Sequence, residues 1–477
     1  MRHSSRPPPL TKAGSTVGVR ATGALLALAI VLASGTAAAA PTSRLPLRFV
    51  ADIPLGGSPS RFDTLSLDAP REQLYVAHLG YGVILAVDLR RRVVVARIAA
   101  AGVHGVLAVP GLGRVFATAT SRHQLFTIDE QTGSIIARTP AGAYPDGIAY
   151  DAADGRLFVS DELGGVEAVI DARSGHRVGT VGLGGQAGNV QYDPVSREIL
   201  VAVQTRNELA VIDPGLRRVV RRKSLPGCVH DHGLLLDSAD RLAFVACDGN
   251  NRLLALDVRT LAVRDTQTVG AIPDVLAFDP QLKRLYVAAE SGIVTVFAER
   301  GGSLRKLGQG FLAQGAHSVD VDPRTHLVYF PLAHQGGPPV LRIMKPGTPT
   351  AGRPARTAPA NVALPKLTAP GPWQLVGKGE ATGRSSTSQA YGRVANPNRM
   401  AFAIGASPAQ PVSVLWTVLC NDNVGDRERT TSDTFNARAP LVRYPKLPLE
   451  FPNGPCTLYV TARLSGPGTT RIGIYAY

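Results

Sequence analysis

The stretch LAFDPQLKRLYVAAESGIVTVFAER (276–300) decides the fold. An apolar run closes on Asp279, a short polar turn follows, and LYVAA (285–289) opens a second strand. A Ser-Gly turn then leads into the third strand, IVTVFA. Apolar residues alternate with polar ones, so each strand has a face to bury.

The pattern recurs seven times. Its turn opens at Asp68, Pro110, Asp151, Asp193, Asp237, Asp279 and Asp322, with spacings of 42, 41, 42, 44, 42 and 43 residues. The second strands are LYVAH (74–78), VFATA (115–119), LFVSD (157–161), ILVAV (199–203), AFVAC (243–247), LYVAA (285–289) and VYFPL (328–332). A third strand ends at Asp88, Asp129, Asp171, Asp213 and Asp257, and a fourth follows, as in VVVARIA (93–99). Four short strands in about 42 residues are the signature of a propeller blade. A lone blade cannot bury both faces, so blades close into a ring.

The last repeat runs into Pro346 after three strands, whereas LRFVADIPLGG (47–57) reads like an unattached fourth strand. It is therefore predicted to complete blade seven and remove an open sheet edge. From Pro346 to Pro372 seven prolines mark an extended linker. Beyond it, VSVLWTVLC (412–420) and CTLYVTARLSG (456–466) read as further strands. The expected fold is all-β: a seven-bladed β-propeller followed by a small antiparallel β-sandwich. The expected layout is a signal peptide over 1–40, the propeller over 45–346, a Pro-rich linker over 347–372 and a β-sandwich accessory domain over 373–477.

The repeats resemble those of the YVTN-type β-propeller family, with LYVAH (74–78) and LYVAA (285–289) at its Y-V-T-N position. The resemblance covers roughly residues 46–345 and implies the propeller fold. It assigns no functional residue, because such propellers serve many roles.

Composition agrees with this layout. The 477 residues are 44% hydrophobic and 18% charged, with 50 Gly and 36 Pro. That excludes a disordered chain and suits a turn-rich β protein. Arg2, Arg6, Lys12 and Arg20 precede the apolar run TGALLALAIVLASG (22–35) and small residues to Ala40, the layout of a secretory signal. A secreted protein, extracellular or periplasmic, with no transmembrane span in the mature chain is expected. The formal charge of +15 falls to +11 without those four basic residues. This excess suggests association with the cell envelope. Arg90 to Arg92 and Arg217 to Lys223 follow turn-forming steps and read as solvated strand edges. Nucleic acid is accordingly not an expected partner.

Cys228, Cys247, Cys420 and Cys456 make an even set, which in an exported chain points to disulfides within each half. Cys228-x-His230-Asp231-His232 with Cys247-Asp248 also reads as a Cys/His metal site.

The chemistry-bearing residues gather where the innermost strands begin. One polar residue per repeat stands there: Asp63, His104, Asp146, Asn189, His232, Asp274 and His317. The second-strand ends add His78, Asp161, Glu162, Gln204, Asp248, Glu290 and His334 to the same face. Polar strand caps account for part of this ring. A metal or polar-ligand site is the competing reading, because three of only ten histidines fall on one position. His78, His104, His317 and His334 form the candidate metal set, suited to Cu or Zn. No G-x-S-x-G, phosphate loop or H-E-x-x-H motif is present. The leading expectation is a secreted binding or scaffold protein whose channel-mouth face takes a protein, polysaccharide or small-molecule ligand. The alternative is a metal-dependent oxidoreductase or lyase with a His/Asp site at that mouth.

Overall fold

Each repeat folds into one four-stranded antiparallel sheet. The structure is a computed structural model that describes residues 45–333, 337–347, 362–369, 371–384, 387–395, 397–421, 428–447 and 455–476. The expected signal segment and His334 lie outside these residues. Blades 1 to 6 begin with the strands Leu65–Asp68, Val103–Val109, Pro145–Asp151, Ala187–Asp193, Asp231–Asp237 and Pro273–Asp279, and each adds its next three strands in order. Blade 7 starts with Asp320–Asp322, Leu327–Leu332 and Val340–Pro346. Its outer strand is Leu47–Pro54, paired antiparallel from Leu47 opposite Pro346 to Pro54 opposite Val340. The N-terminal strand thus closes the ring where the sequence left a strand missing.

Every junction between neighbouring blades holds its own apolar cluster, from blades 1 and 2 round to blades 7 and 1. The second strands supply Tyr75, Phe116, Phe158, Phe244, Tyr286 and Tyr329, all buried between blades. Truncating one such ring costs about 3–5 kcal/mol.

The Asp that ends the first strand in every blade but the second is structural. Asp68, Asp151, Asp193, Asp237, Asp279 and Asp322 are buried, and each accepts a backbone N–H two or three residues on. The fourth residue of each turn is left-handed: Glu72, Gly155, Arg197, Arg241, Lys283 and His326. Three of these reach back to the preceding blade. Arg241 donates to Asp193, Lys283 approaches Asp237 and His326 meets Asp279, at 2.5–3.4 Å. One end of the propeller is thereby laced by ion pairs.

Gln374–Arg384 to Pro467–Ala476 form two four-stranded antiparallel sheets. Met400, Phe402 and Ile404 of one sheet pack against Val412, Val414 and Leu458 of the other. This is the expected sandwich. Disulfides join Cys228 to Cys247 and Cys420 to Cys456, with Cα atoms 5.4 and 4.1 Å apart. The first bond corrects the Cys/His metal reading of blade 5, since both sulfurs are spent on each other. It also ties the loop before the first strand of blade 5 to the end of its second strand.

Candidate functional site at the channel mouth

The first strands of blades 2 to 6 share one irregularity. In each, two residues slip out of register directly after the first paired residue: His104 and Gly105, Asp146 and Gly147, Gly188 and Asn189, His232 and Gly233, Asp274 and Val275. Such a bulge re-aims a side chain that a regular pleat would send into the blade. The adjoining glycines are forced by close approach. A Cβ on Gly105 would lie 2.2 Å from Asp146 O, and one on Gly233 would lie 2.1 Å from Asp274 O. The polar residue comes first in four of these bulges. Blade 4 departs: Gly188 stands first, and Asn189 is set one residue later.

Five of the seven ring residues interact at the mouth. Arg61 Nη1 donates to Glu290 Oε1 at 2.5 Å, with Nη2 4.0 Å from Asp274 Oδ2 and Nε 3.9 Å from Asp63 Oδ2. His232 Nε2 lies 3.5 Å from Asp274 Oδ1. His317 Nε2 lies 3.9 Å from Asp274 Oδ2, and its Nδ1 lies 3.4 Å from Glu290 Oε2. Asp146 couples electrostatically to Asp63, Glu162 and His232.

The mouth is overloaded with carboxylates. Burial raises Asp63 well above the usual carboxylate range. Arg61 opposes this, while Asp146, Asp274 and Glu290 add to it. Burial also raises Asp274, against the pull of His232 and His317. Glu162 rises through burial and the charge of Asp146. Burial opposes a charge on His232, but Asp274, Asp146, Glu162 and Asp248 overcome it and push its pKa up to about 9. Six carboxylates, Asp63, Asp146, Glu162, Asp248, Asp274 and Glu290, thus act on this space with the cations Arg61 and His232.

The described members of the four-histidine set, His78, His104 and His317, do not share one cluster. His78 is a core histidine. Its ring stacks on Phe62 at 4.0 Å beside Tyr81, Ser60 Oγ lies 3.2 Å from Nε2, and burial lowers its pKa to about 4. Both nitrogens of His104 are engaged: Nδ1 lies 3.0 Å from Gly102 O, and Nε2 lies 3.1 Å from the Tyr144 hydroxyl. Neither joins His317 in a shared cluster among the described residues. Asp274, Glu290 and His317 do converge, each offering a ligand atom within 4.8 Å of the others. Arg61 was not anticipated. Its one signal is its place two residues before Asp63, on the approach to an inner strand.

A second acidic group, Asp237, Asp240 and Glu299, already holds the Lys283 ammonium 2.8 Å from Asp240 and 3.4 Å from Asp237. In the sandwich, Trp416, Phe435 and Tyr444 line a cavity of about 310 Å³. No helix among the described residues is long and apolar enough to cross a membrane.

No family model matches the chain. No curated protein matches it. Among solved structures, hydrazine synthase of Kuenenia stuttgartiensis superposes with a TM-score of 0.53, over 60% of this chain and 96% of that chain, at 15% identity. At that identity the likeness shows the fold alone.

Proposed function

We propose that the chain is a secreted binding or scaffold propeller that captures a ligand through the acidic mouth where blades 1, 3, 5, 6 and 7 meet. The observation that supports this reading is the surplus of buried carboxylates over cations at that mouth. Crowded carboxylates stay in place at a cost, which an incoming positive group relieves. The ligand is accordingly one that presents an ammonium or guanidinium group, as a basic protein segment does. The sandwich aids attachment, and its cavity beside Trp416 and Phe435 offers a second contact.

The chain as a whole is basic, with a formal charge of +15, so long-range attraction does not bring such a ligand in. Capture of a short lysine peptide therefore reports the local site. Fluorescence polarisation of a labelled tetralysine is expected to show saturable binding, and tetraglutamate is not expected to compete. The Asp63→Asn/Asp146→Asn variant should weaken capture by at least about tenfold, a loss of ~1.4 kcal/mol. Equal capture by wild type and variant would overturn the proposal.

A further inference from the structure

We propose that Asp274, Glu290 and His317 form a binding site for one divalent metal ion of the zinc class, between blades 6 and 7. The inference deepens the reading of the mouth as a cation site by naming a second kind of cation, and it rests on that reading only for the surplus of carboxylates.

The decisive atom is Nε2 of His317. The side chain is 1% exposed, and Nε2 is buried without a hydrogen-bond partner. Its other nitrogen, Nδ1, lies 2.9 Å from the carbonyl of Gly315, which can only accept a hydrogen bond. Nδ1 therefore donates its N–H to that carbonyl, and Nε2 is the nitrogen left to meet a ligand. Nε2 faces Asp274 Oδ2 across 3.9 Å, too far for a hydrogen bond, and a metal ion between the two atoms would satisfy both.

The spacing suits a metal ion. Ligand atoms about 2.1 Å from a tetrahedral ion stand roughly 3.4 Å apart, so the His317–Asp274 pair needs a shift of about half an ångström. Glu290 brings a third donor within 4.8 Å of the other two. Arg61 binds Glu290 through Oε1, and Oε2 lies 3.4 Å from Nδ1 of His317, so the carboxylate reaches the ion from beside the ring. A histidine that gives its second N–H to a backbone carbonyl is held as metal-bound histidines are held. One imidazole and two carboxylates favour zinc over soft copper(I), which prefers sulfur, and over calcium or magnesium, which prefer all-oxygen sites. Asp274 and Glu290 are each 13% exposed, so a fourth position opens towards the mouth. The group around Lys283 has no equivalent, because an ammonium already occupies it.

The test is calorimetric titration of the tag-free full chain with ZnCl₂ at pH 7.5, after removal of bound metal with a chelator. One equivalent is expected to bind with submicromolar affinity and to raise the melting temperature. Replacing a ligand should cost more than the 10–100-fold typical of an outer partner, so His317→Gln and Glu290→Gln should each weaken binding more than about 100-fold. Asp146→Asn should change it less than about threefold, since Asp146 lies outside the triad. Arg61→Met should tighten binding by removing a like charge beside the ion. Co²⁺ in place of Zn²⁺ should give visible absorption bands that Glu290→Gln alters, a readout of the ligands themselves. No saturation at one equivalent, or binding by His317→Gln as tight as in wild type, would sink the metal site. Equal tetralysine capture by wild type and Asp63→Asn/Asp146→Asn with zinc bound at one equivalent would sink the mouth reading alone, whereas loss of capture in that variant without zinc saturation would sink the metal site alone.

Discussion

Glu167 lies on the third strand of blade 3, wholly buried, with Oε1 accepting a hydrogen bond from Ser160 Oγ at 2.8 Å. Burial pushes its pKa up to about 8, with Ser160 pulling down and Asp161 adding to the rise. The folded state therefore holds this proton more tightly than the unfolded one. Its contribution to stability is fully present below the unfolded value near 4.5 and is lost as pH rises through about 8. The loss is about 1.4 kcal/mol per pH unit within that window. Glu167→Gln keeps the shape and removes the titration. The urea midpoint of wild type should fall between pH 5 and 8 more steeply than that of Glu167→Gln, and parallel curves would refute the assignment. At this scale sequence reading goes part of the way. It gathers Asp63, Asp146, His232, Asp274 and His317 at one position of the repeat, and the structure brings these five side chains together. It misplaces His78, because periodicity tells which strand end a residue occupies but not that Phe62 will cover its ring. It sets Asn189 in step with the others because a two-residue bulge accepts the polar group at either place.

The element that recurs most faithfully is the turn between the first and second strands. Its Asp was legible as a turn opener. The ion pairs that lace one blade to the next were not, since they join residues about 46 to 48 apart in sequence. Arg241 is the most buried of these donors, and Asp193, its acceptor, is fully buried. Removing one partner of such a pair strands a charge and costs about 3–5 kcal/mol. Arg241→Ala should therefore lower stability by roughly 3 kcal/mol, while adding Asp193→Ala should cost much less than a second such step. Denaturant unfolding of the two single variants and the double variant measures this, and strict additivity would contradict the pairing. The disulfide of blade 5 acts on the opposite end. It pins the loop that leads into the His232 strand to Cys247 at the end of the neighbouring strand.

For the molecule as a whole, the ring depends on one long-range pairing. Leu47 opposite Pro346 closes a loop of nearly the whole propeller, yet loop-closure entropy grows only with the logarithm of length, about 5 kcal/mol here. The interblade apolar clusters outweigh that cost. Without Leu47–Pro54, the strand Val340–Pro346 would become a free edge, and Ile53 and Leu55 would leave the cluster between blades 7 and 1. A chain lacking residues 47–54 is expected to sediment as oligomers at concentrations where the full chain is monomeric. A monomer with an unchanged melting temperature would show that closure adds nothing. The sevenfold period made this architecture legible, because one weak motif repeated seven times constrains a ring more firmly than any single strand does.

The same closure sets a clock on biosynthesis. At 5–20 residues per second, the strand Leu47–Pro54 leaves the ribosome about 15–60 s before its partner Val340–Pro346 exists. Six blades can form in that interval, while the seventh cannot. The nascent chain is therefore an open arc until Val340–Pro346 emerges. A chaperone that shields those eight residues would govern the yield of the finished ring more than any factor acting on the blades between them.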